Sequence, residues 1–277
     1  MKGPPMSIEL VPEAVPFSLP KARAIPISWR GDVRQLLQDM QDQGIIAPVT
    51  QFTEWTHPLV VVANRDGTPL ICVDLTKLNR YVRRPLHPAQ TPKHAVSTIA
   101  NTAKFFSTHD VTDGYWQIPL AEESQELTTF TTPWGRFKFL RGPTGLVSTG
   151  DEYCRRTDAV LGHLPRLHRV MGHMLCEADD LETCYNDART LLQTCRENHI
   201  TLGKNKFTFA SAQVKFTGYI VGETGIMSDP AKIDAIARFP KPTSITEMRS
   251  FFGLVHQLGD FSPDIATAAS PLRSLLR

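Results

Sequence analysis

The 277-residue chain is 41% hydrophobic and 21% charged, with a formal net charge of +2, which excludes a disordered or collagen-like chain and leaves binding to nucleic acid open. It has no apolar run near the roughly 20 residues of a membrane span and no signal peptide at its start. The five cysteines are scattered without a Cys-x-x-Cys pair, so we predict a soluble intracellular protein with reduced thiols and no membrane partner.

The first part of the chain combines an extended segment with one helix. Residues 1–29 are rich in proline, which removes amide donors and predicts an extended N-terminal lead-in. From Val33 to Met40 the apolar residues recur at helical spacing. Gly44 is placed to end this first helix.

The middle of the chain has the pattern of strands and hairpins. Two β-rich runs, 58–64 and 69–75, flank Asp66-Gly67, and an Asp-Gly pair is a strong hairpin signal. A second hairpin is predicted within 128–140, around a Pro-Trp-Gly turn. Between the hairpins, a strand that begins at Phe105 changes character at Asp113-Gly114.

The later part of the chain is more helical. A stripe from Ala188 to Cys195 predicts a helix, and residues 214–221 predict a strand. Asp229 is placed to cap a further helix, and Ser244 with Glu247 forms a capping-box pattern ahead of another. Strands and helices that interleave without βαβ regularity indicate the α+β class.

Two acidic features stand out as candidates for chemistry. Asp110 ends an apolar strand, and Asp179-Asp180 form an adjacent pair. A turn aspartate and a polar tip between elements are the plain readings of these features. Phosphoryl transfer with two divalent cations needs carboxylates that converge from at least two places in the chain. A lone acid on one strand and a pair on a neighbouring hairpin would meet that need.

The order of these and other motifs resembles the reverse transcriptase domain of Ty3/gypsy-type LTR retrotransposons over almost the whole chain. The last of the matching segments is similar to the helical region that follows the palm in that family. The matching segments are 74–79, 106–120, 140–146, 178–180, 203–207, 216–219 and 248–272.

The resemblance implies the right-hand polymerase fold of the α+β class, with fingers, palm and a partial helical thumb or connection region. Thr224-Gly225 is interpreted as a turn that opens a short linker to the final helices. The implied parts are an N-terminal lead-in (1–29), fingers (30–104), palm with the first catalytic motif (105–122), a fingers hairpin (123–149), palm (150–223) and thumb- or connection-like helices (224–277).

The resemblance also implies the site residues. Asp110 and Asp179 would hold Mg²⁺ or Mn²⁺, and Asp180 would be the supporting third carboxylate. Tyr115 would lie under the incoming sugar, although a buried core tyrosine is its plain alternative, as a solvated lysine is for Lys206. The implied nucleotide-binding residues are Arg65, Tyr115, Gln117, Pro143, Gly145 and Lys206.

The function implied by the resemblance is RNA-directed DNA polymerase, with two-metal transfer of a nucleotide to a primer 3′-hydroxyl. Its partners would be an RNA template, a DNA primer and deoxynucleoside triphosphates. RNase H and integrase regions of a longer Pol polyprotein would follow, and the protein would reside in a cytoplasmic particle or the nucleus. Two alternatives stay open: an inactive, truncated fold that binds nucleic acid or protein, and an element remnant with no cellular role.

Three departures from the family's pattern favour the inactive alternative. Glu177 puts an unpaired charge on a strand that is expected to be partly buried. Residues 181–187 run directly into the predicted helix at Ala188, so the strand returning from the aspartate pair is predicted to be shortened. Leu70 stands where the family usually carries an arginine that grips the triphosphate, and leucine cannot replace that charge-assisted contact.

Overall fold

The computed structural model describes residues 1–64, 66–259 and 261–272. Its mixture of helices and sheets confirms the predicted α+β class. Within these ranges, no helix is long and apolar enough to cross a membrane.

The helices are α1 (Arg30–Asp42), α2 (Thr76–Asn79), α3 (Pro92–Ser97), α4 (Glu122–Gln125), α5 (Val147–Leu161), α6 (Leu181–Glu197), α7 (Pro230–Ala237), α8 (Ile245–Leu258) and α9 (Pro263–Ala269). The strands are β1 (Ile46–Val49), β2 (His57–Ala63), β3 (Pro69–Val73), β4 (Phe105–Asp110), β5 (Phe130–Thr132), β6 (Gly135–Phe139), β7 (Leu167–Val170), β8 (His173–Ala178), β9 (Thr208–Ser211), β10 (Gln213–Phe216), β11 (Tyr219–Gly222) and β12 (Gly225–Ser228).

The chain divides into two compact units, and its path alternates between them. Unit 1 comprises residues 1–90, 110–165 and 189–205, and unit 2 comprises residues 91–109, 166–188 and 206–277. One boundary falls just before the last residue of β4, and another falls inside α6. The boundaries of fingers, palm and thumb that the sequence suggests stay predictions.

Unit 1 is built on a five-stranded sheet in the order β1-β6-β5-β2-β3. Both predicted hairpins lie in it and are confirmed, since β2 pairs antiparallel with β3 and β5 pairs antiparallel with β6. The first helix, α1, is also confirmed, and Gly44 follows it with a φ of 64°. Phe130, Phe137 and Phe139 are buried in the main core of this unit.

Unit 2 contains a four-stranded sheet, β7-β8-β4-β9, and a three-stranded sheet, β10-β11-β12. Phe106 of β4 and Leu175 of β8 are completely buried in its core. The predicted caps are confirmed, because the Asp229 side chain accepts from Ala231 N and the Ser244 side chain accepts from Glu247 N.

Three local predictions need correction. Helix α6 begins at Leu181, well before Ala188, because Asp180 caps its first turn. The strand predicted over 214–221 is two strands, since the positive φ of Thr217 and Gly218 turns the chain between β10 and β11. The Thr224-Gly225 turn joins β11 to β12 within one sheet and does not open a linker.

Candidate functional site

Asp110 is the last residue of β4, and the other residues of that strand belong to unit 2. Its carbonyl oxygen accepts a hydrogen bond from Gly203 N at 2.8 Å. A Cβ added to Gly203 would lie 3.0 Å from Thr112 Oγ1, so glycine permits this close approach. Asp110 is thereby fixed through its backbone to the segment that follows α6.

Tyr115 and Gln117 follow in a short 3₁₀ turn of unit 1. The Tyr115 ring packs edge to face on Tyr153, with ring centroids 5.7 Å apart, and its partial burial raises the pKa of the phenol. The Gln117 side chain accepts from Thr201 N at 2.9 Å and donates to Thr201 O at 3.0 Å. Gln117 therefore joins two backbone segments, in addition to any contact with a nucleotide.

The Pro143–Gly145 turn is held by Asn79, for which the sequence predicted no role. Asn79 Nδ2 donates to Gly145 O at 2.8 Å, and Asn79 Oδ1 accepts from Val147 N at 3.0 Å. Gly145 has a φ of 92°, which favours glycine. The Asp74–Asn79 segment thus positions the predicted nucleotide-pocket turn.

The turn also lies against the segment that carries Tyr115. Gly142 N donates to Ile118 O at 2.9 Å. A Cβ on Gly142 would lie only 2.9 Å from Tyr115 O, so the two segments pack too closely for any side chain at this position. Unit 1 therefore brings together Tyr115, Gln117, Pro143 and Gly145. Arg65, another predicted nucleotide-binding residue, lies outside the described residues.

Asp179 and Asp180 lie after β8 in unit 2, where their side chains bind neighbouring backbone and hydroxyl groups. Asp179 Oδ1 accepts from Thr102 Oγ1 at 2.7 Å. Asp180 accepts from both Thr183 N at 2.9 Å and Thr183 Oγ1 at 2.8 Å, which lowers the pKa of its carboxyl. These are the contacts of a loop residue and of a helix N-cap.

The hairpin that precedes the aspartate pair has both of its arms. Strands β7 and β8 pair antiparallel from Leu167↔Cys176 to Val170↔His173. Its tip is therefore the two-residue turn Met171-Gly172, and β8 is its apolar returning strand. The aspartate pair was expected at a hairpin tip, and this prediction is wrong. The sequence signal for the observed turn is a Met-Gly pair between two β-forming runs.

Glu177 is buried but not unpaired, contrary to expectation. It is 4% exposed, its Oε2 accepts from Ala100 N at 2.7 Å, and its Oε1 lies 3.0 Å from His168 Nε2. His168 Nδ1 in turn pairs with Thr98 Oγ1 at 3.1 Å. This network ties β7 and β8 to the segment after α3, because each buried polar atom finds a partner there.

The remaining predicted positions lie on exposed surface. Lys206 ends a short 3₁₀ turn ahead of β9 in unit 2. Leu70 is 45% exposed on β3 of unit 1, opposite Val62, which is 42% exposed. An apolar cross-strand pair thus occupies the position where a phosphate-binding arginine was expected. Among the described residues, no group of three or more His, Cys, Asp or Glu side chains could hold a metal ion.

Comparison with known sequences decides the family. The family described as "Reverse transcriptase (RNA-dependent DNA polymerase)" matches residues 65–221, more than half of the chain. The chain belongs to the reverse transcriptase family. The predicted resemblance to this family is thereby confirmed.

Several curated relatives of the chain are transposon polyproteins. It is 30% identical over 262 residues to the Pol polyprotein from transposon opus of Drosophila melanogaster, covering 93% of this chain and 26% of that protein. The Pol polyprotein from transposon gypsy of the same species is 29% identical over 254 residues, covering 89% and 24%. The Tf2-7 polyprotein of Schizosaccharomyces pombe is 24% identical over 247 residues, covering 88% and 18%. The chain thus spans about a quarter of its first relatives.

Solved structures of foamy viral protease-reverse transcriptase have the same fold. One, in complex with double-stranded DNA, gives a TM-score of 0.90 at 20% identity and covers 99% of this chain and 48% of that one. Another, in complex with an RNA/DNA hybrid, gives 0.89 at 20% identity and covers 99% and 37%. The predicted polymerase fold is confirmed.

Replacing Asn79 by alanine removes both hydrogen bonds that hold the Pro143–Gly145 turn. We expect the free energy of unfolding in urea to fall by about 2 kcal/mol, since two net hydrogen bonds are lost. The amide of Val147 should also exchange faster with deuterium. Asn101→Ala, at an exposed turn, is the matched control, and equal exchange at Val147 in both variants would contradict the assigned role.

Replacing Glu177 by alanine leaves Ala100 N and His168 Nε2 without their buried acceptor. The free energy of unfolding should fall by about 3 kcal/mol, as expected when one partner of a buried pair is removed. Glu177→Gln, which keeps an acceptor for Ala100 N, should lose less, and the exposed Glu223→Ala should change little. Urea unfolding followed by circular dichroism measures all three. An unchanged free energy of unfolding in Glu177→Ala would show that the network does not stabilise the hairpin.

Proposed function

We propose that this chain is the polymerase region of a Ty3/gypsy-type Pol polyprotein and that it binds an RNA template paired with a DNA primer. RNA-directed DNA polymerase is the reaction that defines its family. The observation that carries the proposal is the family match over residues 65–221, joined to a fold that covers 99% of the chain. A foamy viral relative with that fold was solved with an RNA/DNA hybrid.

The outer face of β6 in unit 1 fits the phosphates of such a duplex. Phe137 and Phe139 point into the core, whereas Arg136 and Lys138 alternate with them and are only partly buried. Arg136 donates to Gln51 O at 2.6 Å, which fixes its guanidinium on the strand surface. Cations held at strand spacing suit contacts with successive backbone phosphates, which contribute most of the sequence-independent affinity.

The nucleotide-binding role of unit 1 rests on the turn that Asn79 holds. Tyr115 and the Pro143–Gly145 turn belong to adjoining segments, and Tyr115 has a partly exposed ring. An aromatic ring at that position would exclude a 2′-hydroxyl by bulk, since that group distinguishes RNA precursors from DNA precursors. We propose Tyr115, Pro143 and Gly145 as the floor and wall of the deoxynucleotide pocket, Gln117 as the residue that keeps Tyr115 in place, and Lys206 as a contact of the triphosphate.

The predicted metal ligands do not fit a two-metal centre as the chain is folded. Two divalent ions need carboxylates that converge on one point, yet Asp179 binds Thr102 and Asp180 caps α6. Within the described residues no cluster of ligands forms. We therefore propose that this chain binds template, primer and nucleotide. Asp110 stays the one candidate metal ligand at the end of β4.

Binding to a labelled RNA/DNA hybrid tests the proposal. Fluorescence anisotropy should show an affinity that falls by orders of magnitude between about 50 and 200 mM salt, because phosphate contacts release counterions. Lys138→Glu should weaken binding and reduce the salt slope by about 1. Lys21→Glu, at an exposed position of the lead-in, is the control. A folded protein that does not bind the hybrid at low salt would overturn the proposal.

A further inference from the structure

The direction of β8 against β4 determines which residues surround the end of β4. The two strands are neighbours in the sheet of unit 2, and Lys104 N, just before β4, donates to Ala178 O at the end of β8 at 2.9 Å. The start of β4 thus lies beside the end of β8, so the strands run antiparallel. Five steps forward from Lys104 reach His109, and five steps back from Ala178 reach His173. The last residues of β4 therefore face the β7–β8 turn.

That turn carries no acidic side chain. It consists of Met171, with a φ of 53°, and Gly172, closed by the Val170↔His173 pair. A carboxylate at Gly172 or His173 would lie next to the last residues of β4. The chain has a hydrogen and an imidazole at these two positions instead.

The other neighbour of β4 supplies no carboxylate either. Thr108 pairs with Thr208 of β9, so Phe207 lies next to the end of β4. The Phe207 ring contacts the His109 ring with centroids 4.9 Å apart. The residue before Phe207 is Lys206, a cation that would repel a metal ion.

Asp179 and Asp180 lie at the wrong end of the sheet for a site with Asp110. Asp179 is bound by Thr102, which precedes β4, whereas Asp110 ends it. The six residues of β4 span about 17 Å at the usual rise of a strand. Metal ions of one catalytic centre are roughly 4 Å apart. The acidic pair therefore cannot supply the ligands that Asp110 would need.

We infer that this chain binds a primed template without extending it, because the β7–β8 turn (Met171-Gly172) and the adjoining His173, which face the end of β4, carry no carboxylate. This inference rests on the proposed binding function. The bound chain would occupy the primer end and block it. A duplex held this way would be protected from extension by an active polymerase.

Extension and binding are measured on one substrate to separate the two proposals. The purified chain is mixed with a poly(rA)/oligo(dT) primer-template, deoxythymidine triphosphate and Mg²⁺ or Mn²⁺. The expected result is retained binding, no added nucleotide, and inhibition of an active reverse transcriptase at concentrations that saturate the primer. Extension that Asp179→Asn abolishes would overturn the inference. Loss of binding in the parent chain would instead overturn the proposed function.

A second variant tests the geometry without relying on turnover. Gly172→Asp/His173→Asp places one carboxylate on the turn and one on the adjoining first residue of β8, and should tighten Mn²⁺ binding at least about tenfold, as hard oxygen ligands do. Adding Asp110→Asn should abolish that gain, whereas adding Asp179→Asn should not. Mn²⁺ binding is read by electron paramagnetic resonance, and folding by circular dichroism. A folded double variant that gains no Asp110-dependent Mn²⁺ binding would refute the placement of the turn.

Discussion

The antiparallel pairing of β4 with β8 is the constraint on which the account of this protein depends. One backbone hydrogen bond, from Lys104 N to Ala178 O, fixes which end of β8 lies at which end of β4. One bond between antiparallel strands sets the register of all their residues. The β7–β8 turn therefore lies beside His109, and Asp179 lies beside Thr102. The chemistry available to Asp110 follows from this arrangement and not from the number of acids in the sequence.

The buried network around Glu177 supports the same arrangement. Glu177 accepts from Ala100 N, and His168 on the neighbouring strand binds both Glu177 and Thr98. These bonds hold the segment ahead of β4 against the ends of β7 and β8 that lie away from the turn. A charge that looked like a defect in the sequence is therefore part of what fixes the register of the sheet.

The sequence was a good guide to elements whose signals are local. Turn and cap chemistry within a few residues determines the hairpins at Asp66-Gly67 and Pro133–Gly135, the caps at Asp229 and Ser244, and the turn at Gly44 that follows α1. The polymerase fold and the family were predicted from the order of many such segments. No single element determines either of them.

The site was predicted less well because it depends on which strand ends meet. Asp179-Asp180 has the composition of a metal-binding pair, but Asp180 caps α6 and Asp179 accepts from Thr102, which precedes β4. Likewise, the importance of Met171-Gly172 comes from its tertiary position, since nothing in its composition distinguishes it from an ordinary turn. Asn79 was also missed, because its partners Gly145 and Val147 are distant in sequence.

The most direct test of the account is a nuclear Overhauser measurement on a partly deuterated sample. Opposed residues of an antiparallel pair that exchange no hydrogen bonds have Cα atoms about 4.5 Å apart, which brings their α protons into contact. The account predicts a strong cross-peak between the α protons of His109 and His173. Cross-peaks from His109 to Ala178 or Asp179, with none to His173, would contradict it and would return the acidic pair to the end of β4.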